Sequence, residues 1–267
     1  MAERYAVIGN PVAHSKSPWI HAEFARATGQ DIDYSRIEAP LEGFARAVDE
    51  FRAAGGRGAN VTLPFKDQAF RYCGGSVSAR AREAQAVNTL LFEGERVRGD
   101  NTDGAGLLRD LTVNLRRELA GKRVLLMGAG GAAQGVLGPL LAARPARLVI
   151  ANRTAERARS LARRFPGSVG GGYEEIKDSE FEVLINATSA GLSDLAPPLT
   201  PDAFAPEALA YDMVYGRDTP FLTLARGCKA EAHDGSGMLV EQAAESFLLW
   251  RGLRPETSPV LAALRRG

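Results

Sequence analysis

The sequence predicts an α/β fold in two domains, and three observations carry that reading. Short apolar runs alternate with amphipathic stretches along the first hundred residues, the pattern of a mostly parallel sheet with helices on its faces. A second series begins at Lys122-Arg-Val-Leu-Leu-Met-Gly-Ala-Gly-Gly-Ala-Ala-Gln134, an apolar strand that breaks into glycines and re-enters a helix. Between the two, Leu107, Leu111, Leu115 and Leu119 recur every four residues. That spacing predicts a helix from Asp103 to Leu119, stopped by Gly121 and linking the halves.

In the first half, Tyr5-Ala-Val-Ile8 reads as a strand ending at Gly9, followed by a helix from Pro18 to Thr28. A strand near 32–37, a helix around 41–54 and a strand at 59–63 stopped by Pro64 come next. Two short helices, 65–72 and 78–83, precede the strand Val87–Phe92, and Glu93-Gly94-Glu95 is a hairpin turn into Val97. In the second half, strands are expected near 123–127, 147–151, 167–170, 182–186, 208–212 and 229–232. After Gly235 the pattern is helical, through Met238–Trp250 and again beyond Pro255. That tail has no strand to add to the second sheet, so it is expected to return to the first domain and close a cleft. The expected domains are residues 1–102 with 235–267, and 103–234.

Composition narrows the partners. With 45% hydrophobic residues, 24% charged residues and a formal net charge of +1, nothing favours nucleic acid or a membrane. Cys73 and Cys228 lack C-x-x-C spacing, so neither a metal site nor a disulfide framework is expected, and a reduced, cytoplasmic setting is. Glu3 and Arg4 stand where a signal peptide would begin its apolar core, and no apolar stretch approaches membrane-spanning length. The expected partner is a small-molecule substrate, and the assembly a monomer or homodimer.

The glycine turn has the strand–turn–helix context of a dinucleotide fingerprint. Gly128 suits the tight turn, and Gly130 and Gly131 let backbone amides approach a pyrophosphate. Ala129, Ala132 and Ala133 keep the surroundings small, and the helix N-terminus offers N–H groups to phosphate. About 20 residues on, an NAD site would carry an acidic residue for the ribose hydroxyl. Here Asn152-Arg153-Thr154 ends the next strand, with Arg157 one turn later. Guanidinium groups grip a 2′-phosphate that a carboxylate would repel. Thr154 also suits a helix N-cap, and Arg153 and Arg157 suit a solvated surface. With the glycines upstream, the balance favours a Rossmann-like domain that binds NADP.

Polar groups also collect at strand ends in the first domain, where ligands of open α/β sheets bind. Gly9-Asn-Pro-Val-Ala-His-Ser-Lys-Ser-Pro18 follows the first strand. Ser17 before Pro18 is an ordinary N-cap and N1 pair, so Ser15 is the stronger ligand candidate, and His14 reads as a loop-ordering group. Asn60-Val-Thr-Leu-Pro-Phe-Lys66 repeats the form, and Val87-Asn88-Thr89 and Gly99-Asp-Asn-Thr-Asp103-Gly104 add amides, hydroxyls and a carboxylate. Taken alone, Lys66 reads as a surface group and Asp103 as a helix cap. Together they are the obvious acid–base pair of a site suited to a small, hydroxyl-rich ligand.

These motifs resemble shikimate dehydrogenase, in order and along essentially the whole chain. The resemblance continues through Gly128-Ala-Gly-Gly-Ala-Ala133, Asn152-Arg-Thr154, Asn186-Ala-Thr-Ser-Ala-Gly191, Tyr211-Asp-Met-Val-Tyr215 and Gly235-Ser-Gly-Met-Leu-Val-Glu-Gln242. It implies reduction of 3-dehydroshikimate to shikimate with NADPH, in aromatic amino acid biosynthesis. It also implies roles. Ser15 and Ser17 would hold the substrate carboxylate, assisted by Tyr215. Asn60, Thr62, Asn88 and Gln242 would bind ring hydroxyls or order the site, and Lys66 and Asp103 would be catalytic. Met213, Met238 and the Gly237 backbone would lie near the nicotinamide, and Thr188 and Ser189 would line the cofactor site. Asn152, Arg153, Thr154 and Arg157 match the family's phosphate grip. Gln134 stands where many members carry a basic residue.

Three rivals remain at the level of sequence. A quinate/shikimate dehydrogenase often prefers NAD, which Arg153 opposes. A non-catalytic NADP-binding regulator on the same fold would lack Lys66 or Asp103, and both are present. A folate-linked methylene dehydrogenase shares the architecture, but Ser15 and Ser17 are poor equipment for a folate.

Overall fold

A computed structural model describes residues 2–176, 179–188 and 196–266. The chain divides into two compact units, Met1–Gly106 with Leu239–Gly267, and Leu107–Met238.

In the first unit β1 (Glu3–Gly9), β2 (Ile32–Glu38), β3 (Gly56–Val61), β4 (Thr89–Glu93) and β5 (Arg96–Asp100) form one sheet in the order β2-β1-β3-β4-β5. The β1 pairings with β2 and β3 are parallel, whereas β4 is antiparallel to both neighbours. Alternation along β1 sorts its side chains between two cores. Ala6 and Ile8 face α2 (Phe44–Ala53) and α3 (Lys66–Cys73), while Tyr5 and Val7 face the other side with Val12 and Tyr34. A further cluster joins Ile20 and Phe24 of α1 (Ser17–Thr28) to Val240 and Phe247 of α9 (Ser236–Arg251) and Val260 and Leu261 of α10 (Ser258–Leu264). Ions tie this C-terminal segment down. Asp100 binds Arg80 of α4 (Ala79–Ala84), Arg80 binds Glu245, and Arg254 bridges Glu245 to the buried Glu241.

Because β4 runs backwards, its N-terminal end lies at the same sheet edge as the C-terminal ends of β3 and β5. The register is explicit: Asn60 pairs with Thr89, and Thr89 with Asp100. Polar residues far apart in sequence thereby stand in one row.

The second unit is a six-stranded parallel sheet, order β11-β10-β9-β6-β7-β8, built from β6 (Arg123–Met127), β7 (Arg147–Ala151), β8 (Ser168–Gly171), β9 (Phe181–Asn186), β10 (Phe204–Asp212) and β11 (Glu231–His233). Counted from β6 this is 3-2-1-4-5-6, the dinucleotide-binding order. Both faces are covered, by Val124 and Leu126 packing on one core and Leu125 and Met127 on the other. That is why these strands read as continuous apolar runs. Helices α6 (Gly131–Ala142), α7 (Ala155–Arg164) and α8 (Pro220–Gly227) lie where crossover connections require them.

The predicted helix from Asp103 to Leu119 is shorter in the structure. Its α-helical part, α5, spans Asp103–Arg109, and a π-helical turn over Asp110–Asn114 follows. Arg116 then adopts a φ of 52°, and the Arg117 N–H closes on Leu111 O at 2.8 Å. An α-helix rotates a four-residue repeat by about 40° at each step, so four such leucines cannot share one face. The wider turn takes up that drift, leaving Leu107, Leu111 and Leu119 buried in one core with Leu115 packed against it.

Candidate active site

Lys66, the first residue of α3, and Asp103, the first of α5, meet at the polar edge of the first sheet. Lys66 Nζ lies 2.6 Å from Asp103 Oδ2, with the two side chains 14% and 6% exposed. The other carboxylate oxygen, Oδ1, accepts a hydrogen bond from Asn88 Nδ2 at 2.8 Å. Asp103 is not the helix cap: the Asn101 Oδ1 accepts its backbone N–H at 3.1 Å, which frees the carboxylate for Lys66.

Asn88, 2% exposed, is itself held tightly. Its Oδ1 accepts from the Thr102 N–H at 2.8 Å and the Thr89 hydroxyl at 2.9 Å, and Nδ2 also donates to Thr102 Oγ1 at 2.9 Å. Gln242 Oε1 stands 3.4 Å from Asn88 Nδ2, bringing α9 to the same cluster. Gly106 permits that approach, since a Cβ there would come within 2.7 Å of the Gln242 backbone nitrogen. Asn60 Nδ2 donates to Ser246 Oγ at 2.9 Å and to Asn88 O and Thr89 Oγ1 at 3.2 Å. Thr62 is half-buried just beyond β3.

The serine loop differs from expectation. Lys16 is the N-cap of α1 and Ser17 its first residue, so Ser17 does no capping. Instead the Ser15 hydroxyl accepts the Ser17 N–H at 3.2 Å, and the Ser15 carbonyl accepts two bonds from Arg36. His14 is exposed and makes no side-chain hydrogen bond among the described residues. The loop is tied by Asn10, whose Nδ2 donates to Ala39 O at 2.8 Å. Tyr215, expected to assist the serines, is half-buried and belongs to the second unit.

In the second unit Gly128 has a φ of 107°, a turn that favours glycine, and a Cβ there would press on Ala187 O at 3.0 Å. Gly130 is the N-cap of α6 and supplies no side-chain bond, and a Cβ built on it meets nothing within 4 Å. Among the described residues nothing crowds Gly130, where the helix running on through Gly131 and Ala132 begins, and Ala129 is half-buried beside it. This fits a phosphate group approaching backbone amides. Asn152 is half-buried, and its Nδ2 donates to Thr154 O at 3.0 Å. Thr154 is the N-cap of α7, but its hydroxyl makes no capping bond. Along α7, Arg159 and Arg163 pair with Glu175 and Glu156. Arg153 and Arg157 are exposed and have no ion-pair partner among the described residues.

The remaining cofactor candidates cluster on a buried framework. Thr188 donates to Asn186 Oδ1 at 2.7 Å; Ser189 lies outside the described residues. Burial raises the pKa of Asp212, whose carboxylate accepts from the Val214 N–H, Thr219 and Asn186 and so shapes the turn bearing Met213. The Tyr211 hydroxyl donates to Asp110 Oδ2 at 2.6 Å and accepts the Met238 N–H at 3.1 Å. Gly237 is tight against the same carboxylate: a Cβ would fall 2.0 Å from Asp110 Oδ1. Sequence reasoning missed Asp110, Thr102, Ser246 and Tyr34. Thr102 lay inside a quoted motif, whereas the others sit on apolar helix or strand faces with no local signal.

A parallel sheet of dinucleotide-binding order, a glycine turn leading into a helix N-terminus, arginines after the second strand with no ion-pair partner among the described residues, and a carboxylate–ammonium pair in a separate α/β unit define the class: an NADP-dependent oxidoreductase. Relatives narrow it. Residues 7–90 match the shikimate dehydrogenase substrate binding domain, 110–195 the shikimate / quinate 5-dehydrogenase family, and 235–265 the shikimate 5'-dehydrogenase C-terminal domain. The chain is 57% identical over 270 residues to shikimate dehydrogenase (NADP(+)) of Dechloromonas aromatica, covering 99% of this chain and 98% of that one. It is similar to the crystal structure of shikimate 5-dehydrogenase from Thermus thermophilus in complex with NADP(H) and shikimate, at 38% identity and a TM-score of 0.89 with 99% of each chain covered. Shikimate dehydrogenase from Aquifex aeolicus matches at 34% identity and a TM-score of 0.90, covering 100% of this chain and 98% of that one. The chain belongs to the shikimate dehydrogenase family. Among the described residues no helix is long and apolar enough to cross a membrane, and no acidic, His or Cys group converges as metal ligands would.

Proposed function

We propose that this chain reduces 3-dehydroshikimate to shikimate with NADPH, reversibly, in the cytoplasm, with Lys66 and Asp103 as the catalytic pair. The observation that carries the reading is their contact at 2.6 Å, with Asn88 fixing the second carboxylate oxygen. NADPH, when bound, supplies the hydride. As hydride adds to the ketone carbon, the carbonyl π electrons move to oxygen, and the charge there needs a proton. Lys66 stabilises that oxygen and gives it the proton, while Asp103 holds the ammonium and orients a neighbouring hydroxyl. Such positioned acid–base groups contribute about 10²–10⁴-fold. Ser15 and Ser17 offer hydroxyls to the carboxylate, with Tyr215 assisting, and Asn60, Thr62, Asn88 and Gln242 bind ring hydroxyls or order the site.

Gly128 to Ala132 hold the pyrophosphate, and Asn152, Arg153, Thr154 and Arg157 hold the 2′-phosphate. The absence of a described carboxylate partner on Arg153 and Arg157 supports that role, because nothing need be displaced. Thr188, Ser189, Met213, Gly237 and Met238 line the nicotinamide end. The two domains are the substrate domain, 1–102 with 235–267, and the nucleotide domain, 103–234. Initial rates with shikimate or quinate, each with NADP or NAD, test the proposal. Shikimate with NADP should dominate; comparable rates with quinate and NAD would refute it.

A further inference from the structure

The buried face beneath the candidate substrate residues holds a pair of rings that the chemistry above does not use. His21 of α1 is fully buried, and its ring stacks on Tyr34 of β2 at 4.3 Å between centroids and 6° between planes. Trp250 lies 5.4 Å from the same imidazole, and Phe24 and Phe247 at 6.0 and 6.2 Å. Tyr34 is thus gripped by its ring, and its hydroxyl donates to Asn60 Oδ1 at 2.7 Å.

The direction of that bond matters. Asn60 Nδ2 faces the backbone carbonyl of Asn88, which can only accept, so the amide cannot flip without setting two oxygens together. With Oδ1 taken by the phenol, the Nδ2 hydrogens of Asn60 are committed to the framework of the site: Ser246 Oγ at 2.9 Å, and Asn88 O and Thr89 Oγ1 at 3.2 Å. Burial also pushes the Tyr34 phenol well above its usual titration range, against the opposing effect of the Ser17 hydroxyl, so the phenol remains a donor at every working pH.

We propose that Tyr34 is a positioning residue for substrate binding, orienting Asn60 so that its NH₂ ties β4 at Asn88 and Thr89 to Ser246 and so holds the Asn88 side chain in place for the substrate. This rests on the reading of Asn88 as a substrate contact. A residue buried at 9% exposure and remote from the Lys66–Asp103 pair in sequence then governs substrate affinity without touching the reacting atoms.

Tyr34→Phe keeps the stack on His21 and removes only the hydroxyl. The KM for shikimate should rise about tenfold, the loss expected for one buried hydrogen bond, with kcat and the KM for NADP within about twofold. In an Asn60→Ala background the same change should add nothing to KM, since the group it positions is gone. A lowered unfolding midpoint with an unmoved KM in Tyr34→Phe, where Asn88→Ala does raise KM, would overturn the proposal alone, as would additive effects in the double variant. An unmoved KM in Asn88→Ala would overturn the site reading and this inference with it.

Discussion

Replacing His21 by Phe should flatten the acid side of the stability profile. Burial lowers the pKa of His21 from 6.5 to about 3, opposed by the Asn60 side chain. The rings around it, Tyr34, Phe24, Phe247 and Trp250, carry no charge to relieve that cost. Between those pH values the unfolded chain binds a proton that the folded chain refuses, so acidification favours unfolding. At about 1.4 kcal/mol per pH unit, the contribution lost by pH 5 is about 2 kcal/mol, and about 5 kcal/mol over the whole interval. Both tryptophans, Trp19 and Trp250, lie in the first unit, so their fluorescence reports its unfolding in urea. Measured from pH 7.5 to 5, the wild-type stability should fall away from that of His21→Phe by about 2 kcal/mol, starting near pH 6.5. Parallel profiles would refute the claim that a neutral, buried imidazole sits at this position.

Arg153→Asp should raise the KM for NADP at least about tenfold and leave that for shikimate alone, by setting a carboxylate against the 2′-phosphate; an unmoved NADP affinity would contradict the assignment. Gly106→Ala would press a methyl group on the Gln242 backbone 2.7 Å away. Overpacking of that kind costs about 1–3 kcal/mol, and the shikimate KM should rise as α5 and α9 separate; an unchanged unfolding midpoint would contradict the geometry. Arg254→Ala removes a guanidinium from the buried Glu241 carboxylate, 2.7 Å away. It should destabilise the first unit by about 3 kcal/mol in the same urea assay, with a wild-type midpoint as the refuting result.

The second unit was legible because its physics is local. Strands covered on both faces are continuous apolar runs, and the Gly128 turn marks the first of them regardless of what packs nearby. The first unit was legible in its elements but not in its register. Nothing within Val87–Phe92 says that the strand runs antiparallel, yet that reversal brings Asn88 to Asp103. Ser246 reaches Asn60 from 186 residues away, and Tyr34 does so across the intervening strand β1. The leucine repeat after Asp103 was read as one helix because spacing alone does not reveal the π-helical turn that realigns it. At the serine loop, the Ser-Pro pattern suggested a cap at Ser17 that the chain builds one residue earlier, at Lys16.

In the mechanism proposed above, Lys66, held by Asp103, supplies the proton at the reacting oxygen. The most direct test of that step is the kcat for shikimate and NADP in Lys66→Ala, with NADP binding followed separately by fluorescence. In that variant kcat should fall about 10²–10⁴-fold with NADP affinity unchanged. Turnover within a few-fold of wild type would contradict it.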